Sequence, residues 1–196
     1  MTTDAIKKLR DKTNAGIVAC QKALKESSGD VDKAVEILRK QGVAMASKKA
    51  GRSAKEGRIE SYIHQGGKLG VLVEINCESD FVARNDDFKT FVKDVAMQIA
   101  ATNPMYVRKD DVPAAALAKE TEIIKAQALK GKPAAAAEKI IEGKLNKFYE
   151  DACLMEQPFI KDQSLKIKDV LTSMIAKIGE NIVIRRFVRF QAGEEA

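Results

Sequence analysis

The chain has 196 residues, 45% of them hydrophobic and 32% charged, with 34 Lys and Arg against 28 Asp and Glu. That composition is globular and not the signature of a disordered chain, and no run approaches the roughly 18 apolar residues a membrane span needs. Three dispersed cysteines (Cys20, Cys77, Cys153) argue against a disulfide framework or a zinc cluster and fit a reducing compartment. The start of the chain, Met1-Thr2-Thr3-Asp4, runs straight into charged residues, so no signal peptide and a cytoplasmic location are expected.

The charge is uneven. Residues 1–55 carry 13 Lys and Arg against 6 Asp and Glu, whereas the remainder carries 21 against 22. Such a basic segment suits nucleic acid, anionic lipid or an acidic protein surface, and charge alone does not choose among them.

Along this segment the apolar spacing predicts three short helices. The first covers about Asp4–Lys12, with Thr3 as N-cap and Ile6 and Leu9 on one face. The second runs from about Gly16 to Ser27 on Ile17, Cys20 or Gln21, and Leu24. Gly29 stops it. Asp30 caps a third helix that carries Val31, Ala34, Val35 and Leu38, with Gly42 where a terminating glycine belongs. None of the three is long enough to be stable alone, so they are expected to close one small core. Residues 43–58 then read as a helical start that fades into a mobile basic linker. The predicted division is a module and linker at 1–55 and a core domain at 56–196.

Beyond the linker the period changes from 3.6 to 2. Arg58–His64 and Leu69–Cys77 predict an antiparallel hairpin around Gln65-Gly66-Gly67-Lys68. A helix at about Asn85–Ala101 carries Phe88, Phe91, Val92, Val95 and Ile99, and Asn103-Pro104 ends it. Two more helices, over about 113–150, flank a break at Gly131-Lys132-Pro133 and predict a helical hairpin. Gln157-Pro158-Phe159 reads as extended. A helix at about Lys166–Lys177 ends at Gly179, and a last strand runs from about Asn181 to Phe190. The fold class expected is α+β: a three-helix module, a small antiparallel sheet flanked by long helices, and the helical hairpin. Leu72, Val73, Ile75, Phe88, Phe91, Val95, Ile99, Ile182, Ile184 and Val188 are expected in the core or in a dimer interface.

Chemistry-bearing patterns are scarce. There is no phosphate-cradling glycine loop. His64 is the only histidine, which excludes a two-histidine metal site. Asp86-Asp87 and Asp110-Asp111 sit at predicted helix starts, where the helix dipole explains them. Cys20 and Cys153 fall in helical patterns and read as buried small hydrophobes. No catalytic constellation, metal site or cofactor is expected, and an enzyme would need a residue cluster that this chain does not offer.

One segment stands apart. Between the second strand and the long helix lies Asn76-Cys77-Glu78-Ser79-Asp80-Phe81-Val82-Ala83-Arg84-Asn85. Phe81 and Val82 either fold back as a small core plug or present an aromatic anchor beside a polar orienter, as interface hot spots do. Asp80 either pairs with a donor on a partner or caps the local turn.

The string Gly70-Val71-Leu72-Val73-Glu74-Ile75-Asn76-Cys77-Glu78-Ser79-Asp80-Phe81-Val82-Ala83-Arg84-Asn85 resembles the signature of the bacterial translation elongation factor Ts family. Leu9-Arg10-Asp11-Lys12-Thr13-Asn14-Ala15-Gly16, Cys20-Gln21-Lys22-Ala23-Leu24, Lys48-Lys49-Ala50, Gln157-Pro158-Phe159 and Ile178-Gly179-Glu180-Asn181-Ile182 through Arg185-Arg186-Phe187 extend the resemblance over nearly the whole chain. The family usually has Thr where this chain has Ser79; the hydroxyl is kept. The resemblance implies a non-enzymatic exchange factor that binds the GTPase elongation factor Tu and speeds release of its GDP. It implies an N-terminal module similar to ubiquitin-associated domains, docking through Leu9, Arg10, Thr13, Gly16, Ile17 and Lys22. It implies that Ser79, Asp80, Phe81 and Val82 enter the GTPase and disturb its magnesium site. Short, single-core members of the family act as homodimers, so a homodimer is expected here, with no membrane and no specific nucleic acid as partner. Nucleic-acid binding through the basic module is the competing expectation, although that module lacks stacking aromatics.

Overall fold

Eight helices and five strands follow one another in the computed structural model, which describes residues 2–13, 15–128 and 134–194, with side chains described outside 127–137. The class is α+β. The described residues fall into two compact units: Met1–Glu60, Val73–Asp94 and Asp169–Arg185 form one, and Ser61–Leu72, Val95–Lys168 and Arg186–Ala196 the other.

The first unit begins with α1 (Thr3–Thr13), α2 (Ile17–Glu26) and α3 (Val31–Lys49), which pack pairwise. Their core is small: Leu9, Cys20, Ala23, Leu24 and Ala34 are fully buried, with Ile6, Val31, Val35 and Leu38 packed against them. A core of two leucines and small residues leaves little redundancy, and truncating either leucine to alanine is expected to cost about 2–5 kcal/mol. Gly29, at φ +89°, lets the chain turn after α2. Asp30 then caps α3, its carboxylate accepting from the backbone N–H of Asp32 (3.0 Å) and Lys33 (3.1 Å).

One expectation fails in α3. Gly42 does not end the helix, which continues to Lys49. Gly42 is buried, and a Cβ built there would lie 3.5 Å from Thr172 Cγ2 and 3.7 Å from Ala176 Cβ, both on α8 (Ile167–Ile178). Those are ordinary van der Waals distances, so the glycine lies where α3 packs on α8 without being required by it, and tertiary packing overrides its helix-stopping tendency. Arg39 reinforces the contact with an ion pair to Asp169 (3.0 Å). The basic stretch read as a linker is thus helical through Lys49.

The three-stranded antiparallel sheet has the order β1-β2-β5, from β1 (Glu56–Ile63), β2 (Leu69–Cys77) and β5 (Ile182–Gln191). On β2, Val71, Val73, Ile75 and Cys77 are buried at the expected period of two. Gly57 (φ +146°) allows the strands to pair: a Cβ there would stand 2.3 Å from the Ile75 carbonyl oxygen, a distance no side chain tolerates. Most of the expected core is buried, but Leu72 and Val188 are not. Both lie exposed, as does Phe190, so of the two places expected for Leu72 and Val188, a core or a dimer interface, the core of this chain does not hold them.

In the second unit, α6 (Ala114–Ala128) packs on α7 (Ala134–Ala152), as a helical hairpin requires. The expected break at Gly131-Lys132-Pro133 lies outside the described residues. Val112, Ala152 and Cys153 form a buried cluster with Tyr106, Leu117, Phe148 and Tyr149 around it. The chain then makes a small two-stranded sheet, β3 (Pro158–Phe159) with β4 (Asp162–Lys166). Gln98, on α5 (Asp86–Thr102), fastens that turn although it is fully buried. Its amide donates to Gln157 Oε1 (3.2 Å) and the Pro158 carbonyl (3.1 Å), and its oxygen accepts from the Ile160 N–H (2.8 Å). A buried amide is tolerated because its bonds are made.

Candidate functional site

The segment singled out by sequence forms a four-residue helix, α4 (Asp80–Ala83), directly after β2. Four residues do not hold a helical turn by themselves, so its stability comes from its surroundings. Ser79 is the N-cap: its backbone is extended and its Oγ accepts from the Val82 N–H (3.4 Å). Arg84 closes the other end through its own N–H. Asn85 then caps α5, with Oδ1 accepting from the Asp87 N–H (2.8 Å), so two caps lie within seven residues.

Within α4 the two apolar side chains go opposite ways. Val82 is buried, at 6% exposure, and pins the turn to the protein, whereas the Phe81 ring is 79% exposed. The plug and the presented aromatic both exist, one residue apart. A phenylalanine this exposed loses the burial that would stabilise it by roughly 1.5–3 kcal/mol, so it contributes little to the fold of the isolated chain. Asp80 is exposed and does not cap. Its carboxylate pairs with Arg84 (2.7 Å) one turn on, an exposed ion pair of small energy that still sets the direction of both side chains beside the ring.

Every polar atom of Ser79 has a partner. Its N–H donates to Glu180 Oε2 (3.0 Å) and its hydroxyl donates to Glu180 Oε1 (2.7 Å). Its carbonyl accepts from the Cys77 thiol (3.1 Å). Burial, aided by the nearby Glu180 carboxylate, pushes the Cys77 thiol up to about 11, so the sulfur keeps its proton and remains a donor at neutral pH. The Glu78 N–H also donates to Glu180 Oε2 (3.1 Å), and the Asn181 N–H returns a bond to Glu78 Oε1 (2.6 Å). That last bond, helped by Arg52, holds the Glu78 carboxyl below its ordinary value. The far side of the same loop is tied to the end of α3: Asn181 Nδ2 donates to the Arg52 carbonyl (2.8 Å), and Lys49 Nζ donates to the Gly179 carbonyl. Glu78, Cys77, Glu180 and Asn181 were not singled out as site residues by the sequence reading.

The residues expected to dock a partner divide by exposure. Leu9 is sealed in the three-helix core, so its side chain shapes the module and does not reach its surface. Arg10, Gly16, Ile17 and Lys22 are exposed, and Thr13 is half-buried with its hydroxyl donating to the Leu9 carbonyl (2.6 Å). Ile17 and Val18 form an exposed apolar pair at the start of α2. Among the described residues, no group of three or more His, Cys, Asp or Glu is placed to hold a metal ion, and no helix is long and apolar enough to cross a membrane. Cys20, Cys77 and Cys153 are all buried and free.

A family profile described as Elongation factor TS matches residues 1–174. Elongation factor Ts of Carboxydothermus hydrogenoformans is 59% identical over 195 residues, covering 99% of this chain and 90% of that protein. The Elongation factor Ts of Thermoanaerobacter sp. strain X514 is 56% identical over 99% of this chain and 96% of its own length. That of Thermodesulfovibrio yellowstonii is 55% identical over 99% and 97% respectively.

Proposed function

This chain belongs to the elongation factor Ts family, and from that membership we propose that it is a guanine-nucleotide exchange factor for the translational GTPase elongation factor Tu. The observation that carries the reading is the Phe81 ring, 79% exposed on a turn whose entry is held by three hydrogen bonds to Glu180. Exchange needs no covalent chemistry and no cofactor on this chain. A factor that binds the nucleotide-free GTPase more tightly than the GDP-bound form must weaken GDP by the same factor. Each 1.4 kcal/mol of that difference is about tenfold.

A stiff aromatic suits the role of a wedge because it has few rotamers to lose and a large area to bury. Inserted between helices of the GTPase by the turn Ser79-Asp80-Phe81-Val82, it would displace groups supporting the magnesium ion there. That ion requires near-octahedral geometry, so a small displacement weakens its hold on GDP. Asp80 and Arg84 flank the ring as a polar collar. Residues 1–55 act as the docking module through the exposed Arg10, Gly16, Ile17 and Lys22, with net positive charge that speeds encounter with an acidic surface. Residues 56–196 act as the core and dimerisation domain.

A protein partner is favoured over nucleic acid because residues 1–55 carry no aromatic side chain on which a base could stack. Lys12 pairs with Asp32, Arg39 with Asp169 and Arg52 with Glu78, and Lys49 is bonded to the Gly179 carbonyl. These four of the thirteen cations in residues 1–55 are engaged within the chain. For the homodimer, the supporting feature is the exposed apolar group Ile63, Leu72, Val188 and Phe190 on the sheet, which a second copy would cover. Sedimentation of Phe190→Lys is expected to give monomer where the unaltered chain gives dimer; an unaltered chain that sediments as monomer rejects the dimer.

The test of exchange is stopped-flow release of a fluorescent GDP from elongation factor Tu. The chain is expected to accelerate release, and Phe81→Ala to cut that acceleration about tenfold or more at unchanged melting temperature. Equal acceleration by the two proteins rejects the wedge.

A further inference from the structure

The turn that presents Phe81 takes its orientation from a side chain about a hundred residues away in sequence. The single carboxylate of Glu180 accepts three hydrogen bonds from two consecutive residues: the N–H groups of Glu78 and Ser79 and the Ser79 hydroxyl, at 3.1, 3.0 and 2.7 Å. The carboxylate has little freedom to choose otherwise, because the next residue is fixed as well. Asn181 is buried, its N–H bonds Glu78 and its amide bonds the Arg52 carbonyl. Glu78 and the 180–181 loop therefore grip each other reciprocally. Charge-assisted bonds of this kind are about twice as strong as neutral ones and directional. What they hold is the entry to α4, a helix too short to keep its own direction.

We propose that Glu180 is a positioning residue for nucleotide exchange, setting through Ser79 the direction in which the Phe81 ring projects toward the GTPase. This rests on the reading of Phe81 as the wedge. Glu180 need not touch the partner. Without its carboxylate, two backbone N–H groups and the cap hydroxyl lose their common acceptor, the turn samples other directions, and the ring spends less time where it can insert. Such a loss lowers the fraction of productive encounters, so it appears in the maximal rate of exchange and not in the concentration at half-saturation, which the docking module sets.

The experiment uses the full chain, elongation factor Tu and fluorescent GDP, with four proteins: unaltered, Phe81→Ala, Glu180→Ala and the double variant. Glu180→Ala is expected to lower the maximal acceleration about tenfold, the worth of a hydrogen bond to a charged acceptor, with the half-saturating concentration changed less than about twofold. In the Phe81→Ala background the same substitution is expected to change the rate by less than about twofold, because the group it positions is gone. Glu180→Gln keeps the side-chain volume and one acceptor oxygen. It is expected to lose about threefold, and it decides the matter if the alanine variant melts below assay temperature. Additive losses in the double variant, or a rise in half-saturating concentration with no fall in maximal rate, would overturn the proposal. Full acceleration by Glu180→Ala while Phe81→Ala is slow overturns the positioning role and leaves the wedge standing. Full acceleration by Phe81→Ala overturns the wedge, and the positioning role with it.

Discussion

Two turns in this protein are built by the same device and end in opposite ways. At residues 157–160 the amide of Gln98 bonds the Pro158 carbonyl and the Ile160 N–H, and Phe159 between them is 9% exposed. At residues 78–82 the carboxylate of Glu180 bonds the N–H groups of Glu78 and Ser79, and Phe81 beyond them is 79% exposed. A distant polar side chain fixes the backbone in both. The first turn spends its fixity on burying an aromatic in its own unit. The second has an aromatic that its own unit does not use. The difference teaches where to look for function: a rigid mounting is ordinary, and a rigid mounting for an unburied ring is not.

The comparison breaks most visibly at Phe159. Phe159→Ala is expected to destabilise the chain by about 3–5 kcal/mol, read as a lower midpoint in chemical denaturation, while acceleration of GDP release per folded molecule stays within about twofold. A stable Phe159→Ala protein would show that its burial is idle and the contrast empty. Phe81→Ala is the mirror case. Its unfolding free energy from the same denaturation is expected to change by no more than about 0.5 kcal/mol, since an exposed ring has little burial to lose. A large loss of stability there would make the ring structural. The smallest effect sharpens the mounting itself. The Glu78 carboxyl sits below its ordinary value because the Asn181 N–H bonds it. A carboxyl depressed on folding contributes stability that is complete above its ordinary value near 4.5 and fades as pH falls below it. Thermal melts between pH 3 and 6 are therefore expected to fall less steeply toward acid for Glu78→Gln than for the unaltered chain (the window follows from that linkage). Parallel curves would remove Glu78 from the mounting.

Much of this was legible in the sequence because it is local. Periods of 3.6 and 2 place nearly every helix and strand, Asp30 caps α3 as read, and the polar run ending β2 marks the turn that matters. The failures are failures of range. Gly42 reads as a helix stop because nothing near it in sequence announces α8, whose Thr172 and Ala176 lie within van der Waals reach of that position and hold it inside the helix. Val188 follows Ile182 and Ile184 at the period of two, and Leu72 falls between the buried Val71 and Val73 and so on the other side of β2, yet pattern alone does not say which part of a sheet finds a cover. Phe81 and Val82 read as a pair in the sequence, whereas a single turn of helix separates their directions. Gly179-Glu180-Asn181 reads as a family string and a helix end, but the bond of Glu180 to Ser79 spans 101 positions and leaves no periodic trace.

The central claim is that the Phe81 ring meets the GTPase, and contact is measured most directly by photo-crosslinking. With p-benzoylphenylalanine in place of Phe81, irradiation beside nucleotide-free elongation factor Tu is expected to give a covalent adduct in the nucleotide-binding domain that excess GDP suppresses. The same photoreactive group in place of Met105, which is 70% exposed in the other unit, supplies the background yield. An adduct from position 81 no more abundant than that background, or one indifferent to GDP, would contradict the account.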